Sequence, residues 1–469
     1  MTQGKLIHVL GTSSGAGKTT FAMAICRILK EKGYSVAPFK AMNMSLNSIS
    51  TEEGEEISRA QWLQSKASGV RADWRMNPIL LKPEGMGKSQ VICKGASLGQ
   101  MSIHEYGKFL HDEGRRVASE ALNDLLGKYD FVVGEGSGSC AEINLYDRDI
   151  SNTWITKEFN GTGILISNIE SGGTFASLYG TKKLANFPET ISYFVINNMR
   201  GNAEMLQSGI DFIENETGMR CLGVLPHIDH DLPGEDSLDY AKDAHGIVGV
   251  IRYPFFENYS DVDFLAANNL FAYVKNPREM NKMNTIILPG SKNVHEDIGF
   301  LKKSGLWEEI KRFHDGGGTI IGICGGYQIL SRKIIFDREV EEKGLGLLDV
   351  EFVYSSRKTV TFGKYSGEAG GKKFSGDGYE IRYGQILENH EKPFLRVNSR
   401  DEGSVSENMR VIGTNVHGIL NNRDFVEYLT GIEIHETYEE ILEKSIRNFS
   451  NSVSANLKTS ILSQIINGN

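Results

Sequence analysis

The 469-residue sequence has no stretch of apolar residues long enough to cross a bilayer, and its amino terminus lacks the charged-then-apolar signature of a secretory leader. A membrane partner is therefore not expected. There is no block of like charge either: 51 Lys and Arg are interspersed with 60 Asp and Glu, for a net charge of −9. That leaves no basic stripe of the kind a nucleic-acid partner requires. Cysteine is sparse. Cys26, Cys93, Cys140, Cys221 and Cys324 are scattered, with no C-x-x-C pair and no zinc-site spacing, so a reducing cytoplasm is expected. Internal repeats and low-complexity tracts are absent too. The length exceeds one ordinary hydrophobic core, which implies two or three domains.

What is present is concentrated in two places. The later one is Thr319 to Arg332, where a β-branched run enters Gly322-Ile323-Cys324-Gly325-Gly326 and a helical pattern carrying Tyr327, Ile329 and Leu330 follows at once. This is a strand, a sharp turn and a helix. A nucleophile at such a turn needs small neighbours, and the glycines supply the space. At a helix amino end the backbone N–H groups favour an anionic sulfur, and the amide of Gly325 is placed to bind an oxyanion. Cys324 is thus a candidate acyl-transfer nucleophile. A base is needed, and Val411 to Leu420 reads as a short strand ending in His417-Gly418. The turn Pro289-Gly290-Ser291, at the end of another apolar run, offers a second oxyanion N–H through Gly290.

The earlier place is the amino terminus. Lys5 to Leu10 forms a short apolar strand, the glycine-rich loop Gly11 to Thr20 follows, and a helical pattern runs from Phe21 to Lys32. Strand, loop and helix in this order make a phosphate cradle. Gly15, Gly17, Lys18, Thr19 and Thr20 are its nucleotide-binding candidates, with Lys18 reaching the terminal phosphates and the Thr19 hydroxyl available to Mg²⁺. The strict pattern wants glycine where Thr12 stands. After the strand Asp130 to Val133 comes Gly134-Glu135-Gly136, and Glu135 is the carboxylate expected to share Mg²⁺ with Thr19. Asn43, Ser45 and Asn47 lie on a polar loop after Val36 to Phe39, and Glu142 and Asn144 lie beyond Glu135. All five are substrate candidates, because open α/β sheets bind ligands at strand ends. Asn197, at the end of a later strand, is a candidate for the nucleotide base or a strand cap. Residues 56–67 read as a helix.

Residues 228–245 are rich in Asp, Pro and Gly and form the expected linker between a synthetase domain at 1–227 and a second domain at 246–435. Strands alternate with helices in both. The fold class is therefore α/β, with two domains that are each a mostly parallel sheet flanked by helices. Residues 436–469 are read as a helix from Tyr438 to Phe449 and a polar end, from about Ser450, that is loosely held.

Several of these strings resemble one family. GICGGYQ with the later VHG is similar to the class I glutamine amidotransferase domain of the cobyric acid and cobyrinate diamide synthase group, and the first loop is similar to that of dethiobiotin synthetase-like ATPases. Partition-type ATPases carry an extra lysine where this loop has Ser13. PFKAMNMSLNS, EISRAQ and MNPILLKP resemble the cobyric acid synthases more than the diamide synthases. The resemblance implies an ATP- and Mg²⁺-dependent enzyme. In it Cys324 and His417 release ammonia from glutamine, and a corrinoid acid, adenosylcobyrinic acid a,c-diamide, is amidated at its b, d, e and g carboxylates. Two departures stand out. Many class I glutaminases have a glutamate two residues after the histidine, where this chain has Ile419; either the pair is a dyad or an acid elsewhere completes it, with Glu380 of the GYEIRYG segment as a candidate. Asn168-Ile-Glu170-Ser171 also lacks the arginine of the family's D-I-D-R-G-G. The alternatives are a related amidoligase, such as the a,c-diamide synthase, and a nucleotide-binding regulatory protein with an inactive glutaminase half.

Overall fold

The computed structural model describes residues 3–85, 87–230, 232–234, 246–336 and 340–468. The chain forms two compact α/β units. The first comprises Met1–Ser45, Ile57–Leu232 and Leu442–Asn469, and the second comprises Leu46–Glu56 and Pro233–Ile441. Of the expected linker, residues 231 and 235–245 lie outside the described residues. Each unit thus holds one segment that belongs, in chain order, to the other half.

The first unit is built on a six-stranded sheet ordered Arg220–Pro226, Ile191–Met199, Thr162–Asn168, Lys5–Gly11, Phe131–Glu135, Val36–Phe39. Every neighbouring pair is parallel. Strands covered on both faces must be apolar nearly throughout, and Val9, Leu10, Val132, Val133, Leu165 and Ile196 are fully buried. Parallel sheets place their ligand sites at the carboxyl ends of the strands, and the loops after Gly11 and Glu135 leave the sheet at that end. The helix expected over 56–67 is Arg59–Ser68 instead. Ser58 keeps extended backbone, its hydroxyl accepts from the Ala60 N–H, and so the chain becomes helical only after it.

The carboxyl-terminal end differs from expectation. Beyond the helix Tyr438–Ala455, a further helix Thr459–Asn467 buries Ile461, Leu462, Ile465 and Ile466. It is fastened by the Lys458 N–H donating to the Leu222 carbonyl at 2.8 Å and by Lys5 Nζ donating to the Ile466 carbonyl at 2.9 Å. The four apolar residues fall at helical spacing, and that stripe outweighs the polar character of the residues between them.

The second unit has strands ordered Phe271–Val274, Val248–Ile251, Thr285–Leu288, Thr319–Ile323, Val411–Thr414 and, antiparallel at the edge, Ser404–Val405. Its core joins Ile286, Leu288 and Ile320 to Tyr327, Ile329 and Leu330 of the helix after Cys324. A long antiparallel ribbon, Val350–Ala369 with Lys372–Asn389, turns at Gly370 and Gly371, both at positive φ. The ribbon carries Tyr379 to His417, where each backbone N–H donates to the other's carbonyl.

Candidate functional site

In the first unit, the loop between Gly11 and Lys18 turns through Gly15 and Gly17 at φ of 69° and 96°, and the helix Lys18–Glu31 opens directly from it. Lys18 Nζ donates to the carbonyls of Ser13 and Gly138, at 2.8 Å each, so its charge is curled over the loop. A Cβ on Gly11 would lie 2.8 Å from the Lys18 side chain, so the lysine packs directly over this glycine. Thr20 donates to the Gly17 carbonyl. Asn197 Nδ2 donates to the Ala16 carbonyl at 3.0 Å, tying the end of its strand to the loop.

Beside the loop lies a buried polar centre. Glu135 is fully buried and accepts from Thr19 Oγ1 at 2.7 Å, Lys40 Nζ at 2.8 Å and Gln64 Nε2 at 2.7 Å. Burial opposes its ionisation, but the Lys40 charge and these hydrogen bonds hold its carboxyl below the usual range. A hydroxyl and a charged carboxylate side by side form the all-oxygen donor set that suits Mg²⁺. Nothing local in the sequence marks a strand-end lysine such as Lys40 or a helical glutamine such as Gln64 as a partner of Glu135.

The substrate candidates divide. Asn43 is buried, its Nδ2 donating to Ser58 Oγ at 2.7 Å and to Gln61 Oε1 at 3.1 Å. The Ser45 N–H donates to the Leu81 carbonyl. Asn47 is buried in the second unit. Glu142 and Asn144 are exposed on the turn around Ile143–Leu145.

In the second unit the turn at Cys324 is strained: φ is 52° and ψ −107°, outside the ordinary regions for a side-chain-bearing residue. The glycines make this possible. A Cβ on Gly326 would collide with the Leu288 carbonyl, and one on Gly325 would press on Ser291 at 2.7 Å. The Pro289–Ser291 turn therefore packs against the helix that opens after the thiol. Gly290 faces the imidazole, since a Cβ there would lie 3.3 Å from His417 Cε1. The Cys324 thiol donates to the Ile381 carbonyl at 3.6 Å.

His417 is fully buried, and its Nδ1 lies 2.7 Å from Asp261 Oδ2. The other oxygen of Asp261 accepts the Gly418 N–H at 2.9 Å. Burial disfavours the imidazolium, yet the charge and hydrogen bond of Asp261, with Cys324 adding to them, push its pKa up to about 10. Glu380 is not the orienting acid; it pairs with Arg382 and Arg400. Asp261 sits on the short turn Tyr259–Val262, far from His417 in sequence, and no spacing rule connects them. Ile419 leaves no gap in the chemistry, because an acid arrives from another segment. Cysteine, imidazole and carboxylate in this relation, with N–H groups at Gly290 and Gly325, are equipped to cleave an amide through a thioester. Among the described residues no group of three or more His, Cys, Asp or Glu is placed to hold a metal, and no helix is long and apolar enough to cross a membrane.

Comparison with known proteins agrees on both units. A family model described as a CobQ/CobB/MinD/ParA nucleotide binding domain matches residues 7–235, and one described as a CobB/CobQ-like glutamine amidotransferase domain matches residues 247–425. The chain is 46% identical over 470 residues to a probable cobyric acid synthase of Picrophilus torridus, with 99% of each chain covered. It is 39% identical over 478 residues to a probable cobyric acid synthase of Thermococcus gammatolerans, covering 97% of this chain and 98% of that one. To a cobyric acid synthase of Listeria monocytogenes it is 38% identical over 502 residues, covering 99% and 97%.

Proposed function

This chain belongs to the cobyric acid synthase family, and from that premise we propose that it amidates the b, d, e and g carboxylates of adenosylcobyrinic acid a,c-diamide in cobalamin biosynthesis, with glutamine as nitrogen donor and ATP as the energy source. The observation that carries this reading is that one chain holds both a phosphate loop with a buried carboxylate beside it and a Cys-His-Asp elbow. Neither half needs the other's chemistry to do its own step, so their union in one chain points to a shared intermediate, ammonia.

At the elbow, His417 Nε2 takes the Cys324 proton and the sulfur adds to the side-chain carbonyl of glutamine. The amides at Gly325 and Gly290 receive the oxyanion. The imidazolium returns the proton to the leaving nitrogen, ammonia departs, and water then cleaves the thioester to glutamate. In the first unit, a corrinoid carboxylate oxygen attacks the γ-phosphorus of ATP, giving ADP and an acyl phosphate. Ammonia adds to the acyl carbon and phosphate leaves with the bonding pair, so an amide remains. Lys18 would neutralise charge on the transferring phosphoryl group, and Thr19 and Glu135 would hold Mg²⁺, which supplies further neutralisation when bound. Lys40 keeps Glu135 charged for that task. Apolar surface for a broad, flat macrocycle is available in the same unit. Met44, Ile143 and Leu145 are 52%, 59% and 43% exposed, and Ser137, on the loop leading to the latter two, donates to the Met42 carbonyl.

The test is synthesis by a Cys324→Ala variant. It should lose glutamine-dependent amidation and glutamate release while still amidating the corrinoid with ammonium salts. A folded variant that loses both routes would contradict separate sites.

A further inference from the structure

A backbone N–H stabilises an oxyanion only if its peptide plane is held in one orientation. A trans peptide sets its C=O and the following N–H antiparallel, so whatever grips the carbonyls of Pro289 and Gly290 also aims the N–H groups of Gly290 and Ser291. Both carbonyls are gripped by one neighbouring segment of the second unit. The Tyr253 hydroxyl donates to the Pro289 carbonyl, and the Glu257 N–H donates to the Gly290 carbonyl at 3.0 Å. A return bond from the Lys292 N–H to the Phe255 carbonyl, at 2.8 Å, closes a short antiparallel bridge in which Phe256 stands opposite Ser291. These two are its non-hydrogen-bonded pair, so the Ser291 N–H is turned away from Phe256. The Ser291 nitrogen is also the atom that an added Cβ on Gly325 would meet at 2.7 Å.

A carboxylate ties the two sides of this bridge together. Asp297, in the first turn of the helix Val294–Ser304, is fully buried. Its Oδ1 accepts the Phe255 N–H at 3.1 Å and its Oδ2 accepts the Ser291 hydroxyl at 2.6 Å. Ser291 Oγ in turn accepts the Asn293 N–H at 3.2 Å, which fastens the turn to the start of the helix. Burial pushes the Asp297 carboxyl up to about 6, against the pull of the Ser291 bond, so at neutral pH it is ionised and accepts from both donors. Burial also raises the Tyr253 phenol well above its ordinary value, and it stays a donor. A buried carboxylate and a buried phenol carry a desolvation cost that an apolar pair of similar size would avoid. Their bonds all converge on the turn at 289–291, and that points to a geometric task.

The bracing segment also reaches the other side of the elbow. It runs on into Tyr259–Val262, where Asp261 holds His417, and an added Cβ on Gly290 would lie 2.9 Å from the Glu257 carbonyl and 3.3 Å from His417 Cε1. One stretch, residues 253–261, thus sets both the imidazole and the turn beside it. We propose that Tyr253 and Asp297 are positioning residues for glutamine cleavage: Tyr253 through the Pro289 carbonyl, and Asp297 through Ser291 and Phe255, hold the peptides of the 289–291 turn so that their N–H groups face the oxygen that becomes negative when the Cys324 sulfur adds to the amide. This rests on the glutaminase reading above. Donors fixed before the charge develops need no reorganisation as it forms, and that is where their contribution to rate comes from.

The experiment uses the full chain and two variants that each delete one hydroxyl, Tyr253→Phe and Ser291→Ala. Glutamate release is measured with ATP, Mg²⁺ and the corrinoid diamide present, over a range of glutamine concentrations. Alkylation of Cys324 by iodoacetamide is followed separately by peptide mass. In that reaction the sulfur displaces iodide from a saturated carbon and no oxyanion forms, so it reads the thiol and its histidine without the turn. Loss of one bond from the brace predicts that kcat for glutamate release falls about tenfold in each variant. KM for glutamine stays within about twofold, because the lost interaction is made only as the oxyanion forms. The alkylation rate stays within about twofold as well, since the thiol is untouched. Two results would overturn the proposal alone: a kcat within about twofold of the parent in both variants, or an alkylation rate that drops by the same factor as kcat, which would place the damage at the thiol. A parent that alkylates at Cys324 but releases no glutamate would instead defeat the glutaminase reading, and the proposal with it.

Discussion

Replacing Asp261 by Asn tests the least expected member of the elbow. The carboxylate serves two donors, Nδ1 of His417 on one oxygen and the Gly418 N–H on the other. An amide has only one oxygen, so one donor must face an NH₂ group. Raising the imidazole pKa from 6.5 to about 10 against the cost of burial corresponds to on the order of 5 kcal/mol in favour of the imidazolium. Asp261 supplies the greater part, ahead of Cys324. Without that charge the imidazolium that must return a proton to the leaving nitrogen is poorly stabilised, and the neutral ring is free to take the wrong tautomer. Glutamine hydrolysis should fall on the order of a thousandfold, equivalent to about 4 kcal/mol. Ammonium-dependent amidation should be unchanged. The histidine resonance of a selectively labelled protein, assigned with His417→Gln, should titrate several units lower in the variant. The stability signature has a definite sign. Because the folded pKa is raised, the parent's extra stability from the pair is fully present below pH 6.5 and is lost as pH rises through about 10; in Asp261→Asn that decline should flatten. A variant that hydrolyses glutamine within about threefold of the parent, with the titration unmoved, would refute the assignment.

The other expectations concern the first unit. Lys18→Gln should abolish ATP-dependent amidation from either nitrogen source by a factor of about a hundred or more while leaving basal glutamate release in place, measured by paired ADP and glutamate assays. Ending the chain before Thr459 removes four buried side chains, Ile461, Leu462, Ile465 and Ile466, each contributing about 1.5–3 kcal/mol on burial. The loss should lower the thermal midpoint of the nucleotide-binding unit by well over about 5 °C in calorimetry.

What was legible in the sequence is what is local. The phosphate loop and the elbow are each a strand, a glycine-rich turn and a helix within about twenty residues, so the glycines, Lys18, Thr19 and Cys324 could be read from spacing alone. The alternating strands and helices gave the α/β class for the same reason. Partners brought together by the fold left no such mark. Asp261 reaches His417, and Lys40 reaches Glu135, across intervals in which nothing constrains spacing, and Glu380 drew attention only because it stood in a familiar string. The bond from Asn197 Nδ2 to the Ala16 carbonyl is likewise a contact that no spacing announces. The terminal helix carried its periodic stripe in plain view; the polar residues between Ile461 and Ile466 obscured it.

The assignment of 46–56 to one unit and 442–469 to the other bears on how such a protein can be taken apart. A single scission after Leu232 would return two polypeptides, each missing a stretch that its own core was shaped around, and each carrying a stray piece shaped for its counterpart. The chain passes from one unit to the other four times, so gene splitting, domain swaps and half-length expression would have to respect four junctions rather than one.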